Sequence, residues 1–253
     1  MKVSTSKNKI INYSLATSSI LLIILIWTII SSSYQNEMIF PNINQILNAF
    51  INIFKNTNNI NAVLITLLRV LITVIVCFII SIFIVGLYIL LPNSIHFFKP
   101  LIQIMRSTPL AVISIFIFIL IGDKLGPFII TILMSLPITI EGLITSIDEI
   151  NKDIIDELKT LKGSTIKKIT NIYIPIIFPF IIMTLIQTLG MSFKVMIMGE
   201  YICQTDNSIG KILYGIKANL EMDSLIAYGI LIVLIVSILE LIIKHIKKSL
   251  DRK

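Results

Sequence analysis

The sequence predicts an all-α integral membrane protein that crosses a bilayer about six times, and three observations support this fold class. Of its 253 residues, 56% are hydrophobic and only 14% are charged, whereas a soluble domain carries about 25% charged residues. Six apolar runs have about the length, roughly 20 residues, that a helix needs to cross the hydrocarbon core. The runs lack the alternation of period two that membrane-spanning strands require, so we expect helices.

The first three predicted helices differ in length and regularity. Residues 13–30 form a run without a small-residue cleavage site and too long for a signal-peptide core, so we expect a retained helix. Residues 61–91 are long enough to tilt or to project beyond the membrane. Residues 109–122, together with 97–105, predict a bent or broken helix, because Pro109 cannot donate a backbone hydrogen bond and biases the preceding residue away from helical geometry.

The last three predicted helices cover residues 127–147, 172–198 and 225–243. Lysines and arginines then give the direction of the chain, because cytoplasmic segments carry an excess of them. With the N-terminus inside, fifteen fall in inner segments, and the outer segments hold only Lys55, Lys124, Lys211 and Lys217. Both termini are therefore predicted to be cytoplasmic.

The inner segment between the fourth and fifth helices, residues 148–171, is charged throughout yet keeps a helical spacing of apolar residues. A short amphipathic helix over about 152–161 would present one apolar stripe. Gly163 would permit a turn after it, and Ser164 would cap a second short helix. The segment is either a docking surface for another protein or a basic loop or helix on the membrane surface. Its apolar positions are Ile154, Ile155, Leu158, Leu161, Ile166 and Ile169.

The net charge of +7 does not predict nucleic-acid binding. The lysines sit in short clusters between apolar runs rather than along one face. Cysteines and histidines are too scattered for metal-ligand spacing, so we expect packing or interface roles for them and no metal site. These residues are Cys77, Cys203, His96 and His245.

Ionisable residues within apolar runs are costly and usually face the bundle interior or water. The candidates for a solute path are therefore Arg69, Glu141, Lys194 and Glu200. A cationic pair of Arg69 and Lys194 would suit an anionic solute. In the alternative interpretation both side chains reach the lipid headgroups or neutralise Glu200 across helices. The small residues Gly86, Gly142 and Gly190 are expected at close helix approaches.

Several motifs occur in an order that resembles a known family. The string DELKTLKGS at residues 156–164, followed by IP at 174–175 and FPF at 178–180, resembles the cytoplasmic EAA motif of binding-protein-dependent ABC transporter permeases. The nitrate/sulfonate/taurine subgroup, which includes permeases for thiamine-precursor pyrimidines, is the most similar. Further similar strings are FP at 40–41, QIL at 45–47, LLRVL at 67–71, RSTP at 106–109, IGD at 121–123, GE at 199–200 and SIG at 208–210.

The motif also departs from the family pattern. Asp156 stands where the family has Glu, and Glu157 and Leu158 replace two alanines. Lys162 occupies the position of the usual glycine, and Gly163 follows one place later. A shifted glycine would move the turn between the two short helices by one residue. The helix-turn-helix character of the segment is unaffected.

The resemblance covers about residues 38–249 and implies a type I importer fold in the plasma (inner) membrane of a prokaryote. The expected partners are a cytoplasmic ABC ATPase dimer, an extracytoplasmic solute-binding protein, a second permease copy or related chain, and membrane lipid. ATP and Mg would be bound by the ATPase, since Lys211 is followed by Ile212 and the chain has no phosphate-binding loop. The residues expected to couple to the ATPase are Ile155, Asp156, Glu157, Leu158, Leu161, Lys162, Gly163, Ser164 and Pro175.

The predicted organisation is an N-terminal helix with an outer linker at 1–57, a permease core of five helices at 58–249, and a tail at 250–253. We expect no catalytic residues, because the membrane runs contain no histidine and no paired carboxylates. A secondary transporter or channel not driven by ATP is the alternative function. Such proteins more often show two similar halves, and the first and last three helices show no such repeat.

Overall fold

The computed structural model describes residues 3–34, 39–148 and 174–250, and every regular element within these ranges is helical. The predicted all-α fold is thus confirmed. The described ranges contain one 3₁₀ turn, Pro92–Ser94, and nine α-helices: α1 Val3–Tyr34, α2 Ile43–Lys55, α3 Thr57–Leu90, α4 Ile95–Ser107, α5 Leu110–Ile121, α6 Gly126–Asp148, α7 Ile174–Cys203, α8 Ile209–Ala218 and α9 Met222–Leu250.

Helix length and composition identify the membrane-crossing elements within the described ranges. Four helical segments are long and apolar enough to cross: α3, α6, Phe178–Cys203 of α7 and Met222–Lys248 of α9. The segment Pro92–Ser107 and α5 qualify together as a fifth, bent by 100° between its parts. In α1 the apolar stretch Thr17–Ser33 is shorter. The polytopic prediction is confirmed, and the sixth predicted crossing depends on this shorter stretch.

The break predicted at Pro109 is present. Helix α4 ends at Ser107, the next residue is extended with φ −75° and ψ 125°, and α5 begins directly after the proline. The amides of Val112 and Ile113 both bond to the Pro109 carbonyl, so the proline begins the new helix rather than interrupting an old one.

The chain divides into two compact units, residues 1–56 with 215–231 and residues 57–214 with 232–253. The first contains α2, a helix where the sequence predicts only an outer linker. Asn42 and Gln45 form a reciprocal capping box at its start. In the same unit, the Trp27 indole donates to the Pro41 carbonyl over 3.1 Å. The Ser31 hydroxyl donates to the Phe40 carbonyl.

The second unit is built around α3, α6 and α7. Buried residues from α3 and α6, such as Val85 and Leu143, pack together, and Ile130 of α6 packs with Val195 of α7. Gly126 lies against Cys203, and Gly142 lies against Thr184, so α6 and α7 run antiparallel.

One of the three predicted glycine contacts is confirmed. A Cβ added to Gly142 would lie 2.6 Å from the Thr184 hydroxyl, so the two helices approach closely there. The predictions for Gly86 and Gly190 are wrong, since a Cβ at either would meet no neighbouring heavy atom within 4 Å. Both glycines lie in helix interiors beside open space, where a periodic sequence pattern cannot distinguish them from a contact site.

Candidate functional site

A buried carboxylate joins α3 to the end of α7. The side chain of Glu200 is fully buried and that of Arg69 is 16% exposed. Nη1 of Arg69 donates to Oε1 of Glu200 over 2.7 Å. The Thr66 hydroxyl, one turn earlier on α3, lies 3.0 and 2.9 Å from the two carboxylate oxygens. Two side chains on one face of α3 therefore hold a charge contributed by α7.

The start of α8 completes the surroundings of this carboxylate. The Gly210 amide points at Oε2 of Glu200 over 3.4 Å, and the Ile209 amide donates to the Thr66 hydroxyl over 3.1 Å. A Cβ at Gly210 would overlap the backbone of Glu200 and Tyr201, so only glycine allows this approach. The helix N-terminus also places favourable positive potential near the carboxylate.

The turn between α7 and α8, residues 204–208, is densely bonded. Gln204 and Asn207 have φ values of 51° and 50°, a left-handed region that costs energy for residues other than glycine. Nη2 of Arg69 donates to the Asp206 carbonyl over 3.1 Å. The Thr205 hydroxyl donates to the carbonyl of residue 123 over 2.7 Å. The strained turn is thus attached to α3 and to the loop before α6.

The exposed surface of the turn carries a further ion pair. The Lys211 ammonium hydrogen-bonds the Asp206 carboxylate and holds the pKa of that group below its usual value. Because Asp206 is fully exposed, this pair contributes little to stability. The buried Arg69–Glu200 pair differs, since removal of one partner would leave the other charge in an environment that solvates it poorly.

A second ion pair joins α4 to α6. Nη1 of Arg106 lies 2.6 and 2.7 Å from the two carboxylate oxygens of Glu141. Both side chains are about half exposed. Two turns further along α6, the Tyr88 hydroxyl of α3 donates to the Asp148 carboxylate over 2.8 Å. The last turns of α6 are therefore held by both α3 and α4.

Hydroxyl groups line the contact between α6 and α7. The Ser192 hydroxyl donates to that of Ser135 over 2.9 Å, and the hydroxyls of Thr139 and Thr188 lie 3.0 Å apart. All four side chains are fully buried. Sequence reasoning missed this polar seam. The available signal was hydroxyl residues at every fourth position of two apolar runs: Thr131, Ser135 and Thr139, and Thr184, Thr188 and Ser192.

The four candidate solute-path residues do not converge. Arg69 pairs with Glu200, which agrees with the alternative interpretation of neutralisation across helices. Glu141 lies apart from them, paired with Arg106. Lys194 is exposed on α7 and forms no ion pair with any residue in the described ranges. Whether any of the four faces a solute stays a prediction.

The residues expected to couple to an ATPase lie almost entirely outside the described ranges. These are Ile155, Asp156, Glu157, Leu158, Leu161, Lys162, Gly163 and Ser164. Pro175 lies in the first turn of α7, and its side chain is outside the described part. The helices that lead into and out of this segment, α6 and α7, are the two that share the polar seam.

The cysteines and histidines form no cluster in the described part of the chain. Cys77 and Cys203 are free thiols, both buried. Cys203 packs against Ile117, Ile130 and Val195, which agrees with the packing role expected for it. In the ranges 3–34, 39–148 and 174–250, no three His, Cys, Asp or Glu side chains lie close enough to hold a metal ion.

Comparison with known proteins places most of this second unit in a family. The model for the binding-protein-dependent transport system inner membrane component matches residues 95–252, more than half of the chain. The match includes the Arg106–Glu141 pair, Glu200 and its turn, and the whole segment 148–171. No curated protein matches the chain.

Proposed function

This chain belongs to the family of binding-protein-dependent transport system inner membrane components, the permease components of ABC importers, and we propose that it forms the path for a small solute and couples solute movement to a cytoplasmic ATPase. It is a multi-pass inner-membrane protein. The observation that carries the proposal is the family match, because it includes residues 148–171 and the helices on either side.

The proposed partners are the four predicted from the resemblance, of which membrane lipid surrounds the chain and the other three are proteins. A second permease copy or a related chain would complete the pore, and a solute-binding protein would deliver the solute. An ATPase dimer would bind ATP and Mg and receive residues 148–171, with both termini of this chain on the same cytoplasmic side. We also propose membership of the nitrate/sulfonate/taurine-like subgroup, on the motifs given above.

The geometry of α6 and α7 supports a mechanical role for the segment that they enclose. The two helices are antiparallel, share hydroxyl hydrogen bonds and approach closely at Gly142 and Gly126. Movement of the segment would therefore shift both helices together rather than separate them. At the far end of α7, Glu200 ties the same pair to α3. Such a body can alternate between two arrangements when ATP binding favours one of them.

The charges of Arg69 and Glu200 indicate which class of solute the path would suit. Of the two cations in the candidate path, Arg69 is more buried than Lys194, and Glu200 neutralises it. The pair thus offers no net charge to a passing solute. Between the two solute classes suggested by the resemblance, an anion and a vitamin precursor, this arrangement favours the precursor.

Co-purification tests the assembly directly. The chain is expressed, with an affinity tag, together with an ABC ATPase and a solute-binding protein from the same genome. We expect the ATPase to be retained with the chain in mild detergent. A preparation without ATPase, combined with transport that is insensitive to ATP depletion, would favour the alternative of a secondary transporter or channel.

A further inference from the structure

A groove of about 600 Å³ opens between α4 and the second half of α6. Lys99, Gln103 and Arg106 line it from α4, and Glu141 and Thr145 line it from α6. The three α4 residues are spaced by four and three positions, which places them on one face of the helix. The groove therefore has one polar, basic wall.

The same groove has aliphatic walls. Ile95 and Ile102 of α4 and Ile144 of α6 line it, and the two α4 residues are buried. On its other side α4 exposes large apolar side chains, among them Phe97 and Ile104. These two residues are exposed by 72% and 61%, as expected for a helix that contacts lipid.

The bend between α4 and α5 indicates the depth of the groove in the bilayer. The two helical segments meet at 100°. Where the apolar, twelve-residue α5 enters the hydrocarbon core, α4, set at 100° to it, lies nearly parallel to the bilayer surface, at the depth where headgroups meet acyl chains. A groove with one basic wall and aliphatic walls at that depth matches both parts of a phospholipid.

The charges of the groove are not balanced. Only Nη1 of Arg106 contacts Glu141, and within the described ranges Nη2 and Nε have no partner. Lys99 forms no ion pair with any described residue. Two cations thus face one carboxylate, and an edge of the guanidinium is free. Arginine and lysine in this arrangement recognise phosphate.

We propose that this groove binds one acidic phospholipid, with its phosphate at Lys99 and the free edge of Arg106 and its first acyl methylenes against the aliphatic wall. A free phosphate ion would satisfy the charges but leave that wall uncovered. The net charge of the groove favours an anionic headgroup over a zwitterionic one. The proposal concerns lipid binding and does not depend on transport.

Native mass spectrometry of the detergent-solubilised full chain, with any partners that co-purify, tests the proposal. Phosphatidylglycerol and phosphatidylcholine of identical acyl chains are titrated separately. We expect tighter binding of phosphatidylglycerol. Lys99→Gln should weaken it about fivefold, the effect of one cation near an anionic group. Glu141→Gln should strengthen it by a similar factor, because it frees the whole Arg106 guanidinium.

The control is Lys55→Gln, which removes an exposed lysine of α2 that does not line the groove. Equal affinity for the two lipids, or an equal loss with Lys55→Gln, would overturn the proposal in favour of nonspecific surface binding. Displacement of phosphatidylglycerol by millimolar inorganic phosphate would also overturn it, since the ligand would then be free phosphate. Opposite effects of Lys99→Gln and Glu141→Gln would support it, and neither variant removes a buried group.

Discussion

At the scale of single residues, Glu200 depends most on its neighbours. Its carboxylate is fully buried and is surrounded by Arg69, Thr66 and the Gly210 amide. The sequence identified Arg69 and Glu200 as costly residues within apolar runs, because a charge there needs a partner. It offered both Arg69 and Lys194 as partners of Glu200 and could not choose between them, because pairing depends on how the helices pack rather than on local spacing.

The Arg69–Glu200 pair should show strong coupling. Arg69→Met or Glu200→Leu alone should lower the free energy of unfolding by about 3–5 kcal/mol, because each leaves a buried charge unpaired. The double variant should lose less than the sum. The exposed pair of Lys244 and Glu240, one turn apart on α9, provides the control, and its coupling should be about 0.3–0.5 kcal/mol. Denaturant unfolding in detergent measures all the variants, and additive losses at residues 69 and 200 would contradict the pairing.

Gly210 should be sensitive to a single methyl group. Gly210→Ala would push a Cβ into the backbone of residues 200 and 201 and lengthen the contact with Glu200, so we expect a loss of about 1–3 kcal/mol. Gly215→Ala is the matched control, because it lies in the same helix beside open space. There the better helix propensity of alanine should add about 0.5–1 kcal/mol. Thermal unfolding measures both variants, and similar shifts would contradict the assigned contact.

At the scale of elements, local chemistry decided what could be predicted. The break at Pro109 followed from the proline itself, and the long apolar helices followed from composition. Helix α2 was missed although its signals were present: the Asn42–Gln45 capping box and the helical spacing of the buried residues Ile46, Ala49 and Ile53. The α6–α7 seam was missed because polar positions within apolar runs were weighed only when ionisable.

The seam should contribute to stability through its hydroxyl pairs. Thr139→Val and Thr188→Val should each lower the free energy of unfolding by about 0.6 kcal/mol, the mean for hydrogen bonds between membrane helices. The double variant should lose little more than Thr139→Val alone, since that change already removes the bond between the two hydroxyls. Thr145→Val, on the exposed side of α6, makes the same chemical change away from the seam. A loss at position 145 as large as at 139 would contradict the role of the seam.

At the scale of the whole molecule, the account depends on the segment between α6 and α7. Its apolar stripe was read from the sequence, and its residues lie outside the described ranges, so the docking assignment stays a prediction. The described structure supports it from either side, because α6 and α7 are bonded into one antiparallel pair. Family membership shows an inner membrane transport component, and the separate ATPase belongs to the proposal.

A charge in the apolar stripe should uncouple transport from ATP hydrolysis. Leu161→Glu should leave membrane insertion intact and weaken association with the ATPase, because a buried carboxylate at an interface is costly. Thr160→Glu, on the opposite face of the predicted helix, adds the same charge and should have little effect. If the segment instead lies on the membrane surface, Leu161→Glu should change insertion or lipid dependence and leave ATPase association unchanged.

The most direct test of the central claim is solute uptake by the reconstituted complex. The ligand is first identified by a thermal-shift screen on the neighbouring binding protein, and uptake into proteoliposomes is then measured with and without enclosed ATP. The account predicts uptake that requires ATP, the ATPase and the binding protein together, and that is lost in Leu161→Glu but kept in Thr160→Glu. Uptake of equal rate without ATP or without the ATPase would contradict it.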